Sequence, residues 1–378
     1  MNIAIFGTKS EALYLANQLA YNTFNKVKYF VDNNSTLWEK IIEKIPVISC
    51  EKLAEKYGTE VDAVIVSARG TYSRLSIIHQ LRKAKINSIG MFKFSAHDYQ
   101  KDIDMDIQGN SKYVVWINRF NKPIIPYLET NIMNSCNLKC QGCSHFANLF
   151  GENEKEGFEQ FKKDITRIGE KATVIQLRLL GGEPLLNVDC YKYINYARKI
   201  FPDADINIVT NGILIPKQDE ELFSAMRESN AGFHISQYEP TLKLKNVIEK
   251  KCKENMVDYY FEGEPITEFG KNLSMLGDSN VEIAQAVCLE RGCRFFRNGR
   301  IYKCPMEGMI DKFIKEYDYK VNISGGFDIY DESIDWEVQL DDYFNNPVSM
   351  CQFCAEKCET FEWKVKNRPE AKDWLVEN

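Results

Sequence analysis

Three cysteines constrain this chain more than anything else in it. Cys136, Cys140 and Cys143 stand in the order Cys-x3-Cys-x2-Cys, with Ser144-His145-Phe146 directly behind them. That spacing reaches three corners of a metal–sulfur cube and leaves the fourth without a protein ligand, whereas iron–sulfur clusters are normally held by four thiolates. Open metal positions are where chemistry happens, as the contrast between catalytic and structural zinc illustrates. The same thiols with His145 also make a Cys3His set for tetrahedral zinc, and the motif alone leaves both readings open. The apolar run over residues 124–133, interrupted by Glu129, predicts a strand, which places the cysteines in the loop at its C-terminal end. In a (β/α) barrel that end is the catalytic face.

The chain has twelve cysteines, and their placement decides their use. Cys50, Cys190 and Cys252 stand alone and read as small buried hydrophobes. The other nine form two groups, 136/140/143 and 288/293/304 with 351/354/358. In a reducing compartment such groups are metal ligands and not disulfides. The opening residues, Met1-Asn2-Ile3-Ala4-Ile5-Phe6-Gly7, have neither the basic nor the long apolar region of a secretory signal. No apolar run approaches the ~18 residues of a membrane span. A cytoplasmic protein without a membrane partner is expected. The net charge of −6 comes from scattered residues with no basic stripe, which argues against a general nucleic-acid binder. With 378 residues, 44% of them apolar, there is room for two or three domains.

The first hundred residues alternate strand and helix patterns. Residues 2–6, 27–31, 61–66 and 86–92 predict strands, and 10–21 and 75–81 predict helices, which implies a parallel α/β sheet. The first turn, Gly7-Thr8-Lys9-Ser10-Glu11-Ala12, lacks two of the glycines of G-x-G-x-x-G that admit a pyrophosphate. Asp32 stands where an acid takes ribose hydroxyls, or where one simply closes the Asp32-Asn33-Asn34-Ser35 turn. Residues 1–105 are read as a Rossmann-like domain, similar to the N-terminal modules of some bacterial sugar-modifying enzymes. Residues 106–123 are read as a linker, with Tyr113, Trp116 and Phe120 as aromatic anchors.

The alternation resumes at residue 124. Residues 154–171 carry Phe158, Phe161, Ile165 and Ile168 at helical spacing. Strand 174–180 then delivers Gly181-Gly182-Glu183-Pro184 to the same face as the cysteines. Pro184 cannot continue a ladder and fixes the turn, and the two glycines are expected to let a ligand approach the backbone. Helices 191–201, 220–227 and 242–252 and strands 206–210, 232–236 and 257–261 bring the count to about six β/α units by residue 287. That is a partial barrel and not a closed eight. Glu183 is either a capping acid or an acceptor for a cationic ligand. Asn211 and Ser236 lie at strand ends, where turn residues and ligand contacts are equally at home.

Cys-x3-Cys-x2-Cys after a first barrel strand, followed by Gly-Gly-Glu-Pro after the next, resembles the radical SAM superfamily. The resemblance implies a 4Fe–4S cluster on Cys136, Cys140 and Cys143. It implies S-adenosylmethionine (SAM) on the fourth iron, with Gly181, Gly182, Glu183 and Pro184 at its amino group and Asn211 and Ser236 at its ribose and carboxylate. The residue before the third cysteine is often aromatic in that family and packs near the adenine. Here it is Gly142, and Phe146 is expected to substitute.

Farther on, Cys288 is followed by ten residues, Gly299, four residues and Cys304. Arg297-Asn298-Gly299-Arg300 predicts a hairpin tip between two apolar pairs. Cys351-x2-Cys354-x3-Cys358 comes next. This arrangement resembles the SPASM/twitch extension, which assigns 124–287 to the radical SAM core, 288–363 to an auxiliary-cluster domain and 364–378 to a tail. Six cysteines are too few to give two cubes four thiolates each. One auxiliary 4Fe–4S cluster is therefore expected, on Cys288 or Cys293, then Cys304, Cys351, and Cys354 or Cys358. A zinc ribbon is the alternative.

The resemblance implies an α/β enzyme that reductively cleaves SAM to a 5′-deoxyadenosyl radical, which takes hydrogen from a substrate. Flavodoxin or ferredoxin is the implied electron donor. The N-terminal module points to a carbohydrate or nucleotide-linked small molecule, oxidised or epimerised at a C–H bond. A ribosomally made peptide is the alternative substrate, and a metal-binding scaffold without turnover is the alternative class.

Overall fold

The computed structural model describes residues 1–20, 25–68, 71–92, 114–116, 122–290 and 292–377. They form two compact units, one of Met1–Pro126 with Asp203–Asp205, the other of Tyr127–Pro202 with Ile206–Asn378.

In the first unit a sheet runs in the order Ile41–Ile42, Ile45–Ile48, Lys26–Val31, Asn2–Phe6, Ala63–Val66, Ile89–Phe92, Val114–Trp116. The five central strands are parallel and the two outer pairings antiparallel. Every side chain of Ala63–Val66 is buried, as expected of a parallel strand covered on both faces. Ile3, Ile5, Leu15, Leu19, Phe30 and Ile65 form the core beneath the helix Ser10–Ala20. Two elements lacked a sequence signal. The Ile41–Ile48 hairpin turns through Glu43 and Lys44, both left-handed, where Asn-Gly would have announced it. Helix Cys50–Lys56 follows, its Ser49 hydroxyl accepting from Lys52 N at 3.2 Å. Val114–Trp116 pairs with Ile89–Phe92 and Trp116 is buried in this core, so that part of the expected linker is sheet. Tyr113 and Phe120 lie outside the described residues.

The second unit has the α/β architecture expected. Its main sheet runs Asp258–Glu262, Gly232–Ser236, Asp205–Thr210, Gln176–Gly181, Leu128–Met133, then Phe295–Arg297, Arg300–Tyr302 and Phe327–Asp328. The first five, here called barrel strands five to one, form a parallel run connected through helices Phe158–Lys171, Cys190–Ile200, Glu220–Glu228 and Lys245–Glu254. Leu177, Leu179, Ile208, Phe233 and Ile235 are buried on one face, where Phe233 meets Phe223 of a covering helix. The parallel run counts five strands. About six units were expected; the next strand, Glu268–Leu273, pairs antiparallel with Cys354–Glu362. Its side chains are mostly half-exposed, a pattern that a parallel strand buried on both faces does not tolerate. The Asn298-Gly299 hairpin forms as expected and docks beside barrel strand one, where Glu129 N donates to Arg294 O at 2.7 Å. A second core gathers Phe146, Phe295, Met309, Phe313, Phe353 and Trp374 over the cysteine loop. Among the described residues no helix is long and apolar enough to cross a membrane.

Candidate metal and cofactor site

The cysteine loop leaves barrel strand one at Met133 and is shaped by three left-handed residues, Lys139, Gly142 and Phe146. Gly142 is there for space as well as conformation. A Cβ on it would stand 2.8 Å from Asp373 O and 2.9 Å from the Phe361 ring. An aromatic side chain in that place would collide with the C-terminal segment, which explains the departure from the family pattern. That segment is no loose tail. Gln141 N donates to Lys364 O at 3.0 Å, Lys366 N to Lys139 O at 3.0 Å, and Trp374 Nε1 to Cys143 O at 2.9 Å. Residues 364–374 thus strap the loop from outside, a role that nothing in their sequence announced.

Gly181-Gly182-Glu183-Pro184 ends barrel strand two beside that loop. Its glycines serve a different approach from the one expected. A Cβ on Gly181 would lie 1.7 Å from Met133 O, and one on Gly182 would lie 2.3 Å from Ser135 O. What comes close is the backbone that carries the cysteines. Gly182 N donates to Met133 O at 2.8 Å and Glu183 N to Ser135 O at 2.9 Å, closing the contact. Glu183 is fully buried, and its carboxylate accepts from Leu185 N (3.0 Å), Thr210 Oγ1 (2.7 Å) and Asn211 N (2.9 Å). It caps the short Pro184–Leu186 helix and ties strand two to strand three. Burial pushes its carboxyl up to about 7 against the pull of these donors.

Asn211 passes the connection on. Its Nδ2 donates to Asn137 Oδ1 at 2.7 Å, inside the cysteine motif, while its Oδ1 accepts from Ile213 N. Ser236 is half-buried at the end of barrel strand four. Phe146 corrects an expectation. Its ring is wholly buried between Phe313 and Trp374, so it is core and offers no face to an adenine. His145 turns its Nδ1 to Asn131 Oδ1 at 3.0 Å and its ring to Phe295. Burial holds it down to about 4, and its imidazole completes no Cys3His set.

Desolvation pushes the thiols of Cys136 and Cys140 up to about 12 and raises that of Cys143. All three lie within electrostatic reach of the Tyr238 hydroxyl, as Glu183 does. Among the described residues no three His, Cys, Asp or Glu side chains converge tightly enough for a single metal ion. Three thiols on one loop suit three iron corners of a cube, leaving the fourth without a protein ligand.

The six later cysteines divide. The thiol of Cys304 is raised by burial and by Cys354 and Cys288, that of Cys354 by burial, Cys351 and Cys288, and that of Cys288 by burial and Cys351. These influences link Cys288, Cys304, Cys351 and Cys354, and Cys304 also acts on Cys293. Cys358 shares a narrow cavity with three of them but donates to Asn272 Oδ1 at 3.2 Å. Cys293 turns away, donating to Glu290 Oε2 at 3.2 Å. In the first unit, Asp32 accepts from Thr8 Oγ1 at 2.6 Å and from Asn34 N at 2.9 Å, closing its own turn.

Residues 130–260 match the model of the Radical SAM superfamily. The chain thus carries a radical SAM domain over those residues, and such a domain implies a 4Fe–4S cluster and SAM. GTP 3′,8-cyclase of Thermodesulfovibrio yellowstonii is 33% identical over 111 residues, 29% of this chain and 34% of that protein. The same-named protein of Alkaliphilus oremlandii is 34% identical over 103 residues, 27% and 32% of the two chains. The chain thus spans about a third of the length of the curated relatives it matches. A crystal structure of BtrN with AdoMet and 2-DOIA aligns at 15% identity and a TM-score of 0.37, covering 68% of this chain and all of that one.

Proposed function

We propose that the chain is a radical SAM enzyme whose cluster is held by Cys136, Cys140 and Cys143. The placing of these three thiols on one loop after barrel strand one, braced by the Glu183–Asn211–Asn137 chain of hydrogen bonds, carries the reading. When bound, the cluster and SAM supply a 5′-deoxyadenosyl radical able to take a hydrogen atom from carbon. The protein supplies position and dryness. Gly181, Gly182, Glu183 and Pro184 hold the methionyl side of SAM, and Asn211 and Ser236 its remaining polar groups. Tyr238, packed on Phe269 and Trp363, walls the thiols from water. Binding of iron would strip the thiol protons that burial otherwise retains.

One auxiliary 4Fe–4S cluster sits on Cys288, Cys304, Cys351 and Cys354, the four left once Cys293 bonds Glu290 and Cys358 bonds Asn272. A flavodoxin or ferredoxin delivers the electron. The substrate is a carbohydrate or nucleotide-linked small molecule, oxidised or epimerised at a C–H bond. The Rossmann-like order of the first unit supports that class. Anaerobic reconstitution should load about eight irons, two clusters of four, and dithionite with SAM should then yield 5′-deoxyadenosine. Cys140→Ala should lose about four irons and all SAM cleavage. A variant that still cleaves SAM would sink the reading.

A further inference from the structure

Strand alternation sends every second side chain of the parallel run to the face opposite the covering helices. In a packed barrel, branched apolar residues fill that interior. Here it receives Glu129 and its register partner Arg178, with Asn207, His234 and Glu262 on the same face of the neighbouring strands. The Arg178 guanidinium forks onto Glu262 at 3.0 and 3.4 Å and lies 5.1 Å over the Tyr127 ring. Glu129 accepts the Tyr127 hydroxyl on Oε2, while its Oε1 has no hydrogen-bond partner although the residue is only 3% exposed. Asn207 is fully buried with neither Oδ1 nor Nδ2 partnered. Buried polar atoms are rarely left this way, because each forfeits its hydration without return.

Charge decides what would satisfy them. Glu290, the acceptor for Cys293, is close enough to Glu129 to disfavour its ionisation. Three carboxylates, Glu129, Glu262 and Glu290, therefore act on this interior beside one guanidinium, which forks onto Glu262 and also acts on Glu129, and the His234 imidazole near Glu262. The row reaches solvent at its Glu262 end, where the side chain remains 41% accessible. An ammonium placed against Glu129 Oε1 would be met by acids that the one guanidinium only partly offsets. A triphosphate would meet the same surplus of acids, with the Arg178 guanidinium already forked onto Glu262.

We propose that the barrel interior takes a positively charged substrate, a small polyhydroxylated amine, with Glu129 Oε1 accepting from its ammonium group, and that it rejects polyanionic nucleotides. The proposal rests on the radical SAM reading only in giving the occupant the part of substrate. It narrows the substrate class to an amine-bearing carbohydrate-like molecule, against the nucleoside triphosphate in the relatives' name.

The test uses the full-length reconstituted protein saturated with SAM and titrates glucosamine, glucose and GTP calorimetrically. Glucosamine should bind at least about tenfold tighter than glucose, as a charge-assisted hydrogen bond gives, and GTP should not bind. Glu129→Gln should erase the margin between the two sugars. Glu262→Gln, which frees the Arg178 guanidinium, should move the preference towards GTP. The exposed control Glu254→Gln should keep the margin. Equal binding of the two sugars, no binding of glucosamine, or tight binding of GTP by the parent protein overturns the proposal. So does a Glu129→Gln protein that keeps the amine margin and weakens SAM instead, since the acid would then serve the sulfonium. Formation of 5′-deoxyadenosine without substrate is followed in parallel. If it occurs with no amine preference, only this proposal fails. If it is absent while the preference holds, the radical reading fails alone.

Discussion

Glu129 shows how far a single residue's chemistry can be carried. Desolvation, opposed by the Tyr127 hydroxyl and aided by Glu290, pushes its carboxyl from the ordinary 4.5 up to about 7. The folded protein thus keeps a proton that the unfolded chain releases near its ordinary value. The stabilisation is full at low pH and is lost as pH rises through about 7, on the order of 3 kcal/mol for a shift of this size. Glu129→Gln removes that dependence. In cluster-free protein its melting temperature should gain on the parent's between about pH 5 and about pH 8. A constant difference would count against the assignment. His145, held down by burial, works in the opposite sense at lower pH, but it is common to both proteins and cancels. The sequence marked Glu129 only as an interruption in an apolar run, because nothing local tells a lumen-facing acid from a strand-edge one. Cys136, Cys140 and Cys143 were legible because their meaning lies in spacing. Phe146 misled, since aromatic character does not say which side of a loop a ring will take.

Among the elements, the contact between the cysteine loop and the Gly-Gly-Glu-Pro turn carries most of the site's geometry. Gly182→Ala would drive a methyl into Ser135 O, and backbone cannot yield as a side-chain tip can. We expect a loss of about 2–4 kcal/mol in stability, with iron bound at the cysteine loop falling in proportion. Denaturant melts and iron assays on the same preparation check both. Barrel strands and their helices were readable in sequence to within a few residues, since apolar periodicity repeats along them. The strap was not. Residues 364–374 have no periodicity, and their hold on the loop is made by backbone groups and one indole. Trp374→Ala should cost about 3–5 kcal/mol through its emptied place in the core and loosen the loop. Faster iron loss to a chelator than in the parent would register the loosening.

Taken as a whole, the second unit builds two sulfur-rich centres from distant stretches of one chain. Sequence spacing left the second set undecided between Cys288 and Cys293 and between Cys354 and Cys358, because spacing does not record direction. The structure turns Cys293 towards Glu290 and Cys358 towards Asn272. Cys293→Ser and Cys358→Ser should each retain about eight irons on anaerobic reconstitution, whereas Cys351→Ser should fall to about four. Loss of iron from the Cys293 variant would return that residue to the ligand set and remove it from the barrel interior.

The strap from Lys364 to Trp374 also sets an order of events in the making of the protein. The loop bearing Cys136 emerges from the ribosome more than two hundred residues before the indole that clasps it. Until those later residues have been synthesised, the three thiols hang from an unfastened segment. Iron delivery to a finished pocket is then a post-translational event, and a nascent chain halted short of Trp374 would offer a cluster donor only a half-made receptacle.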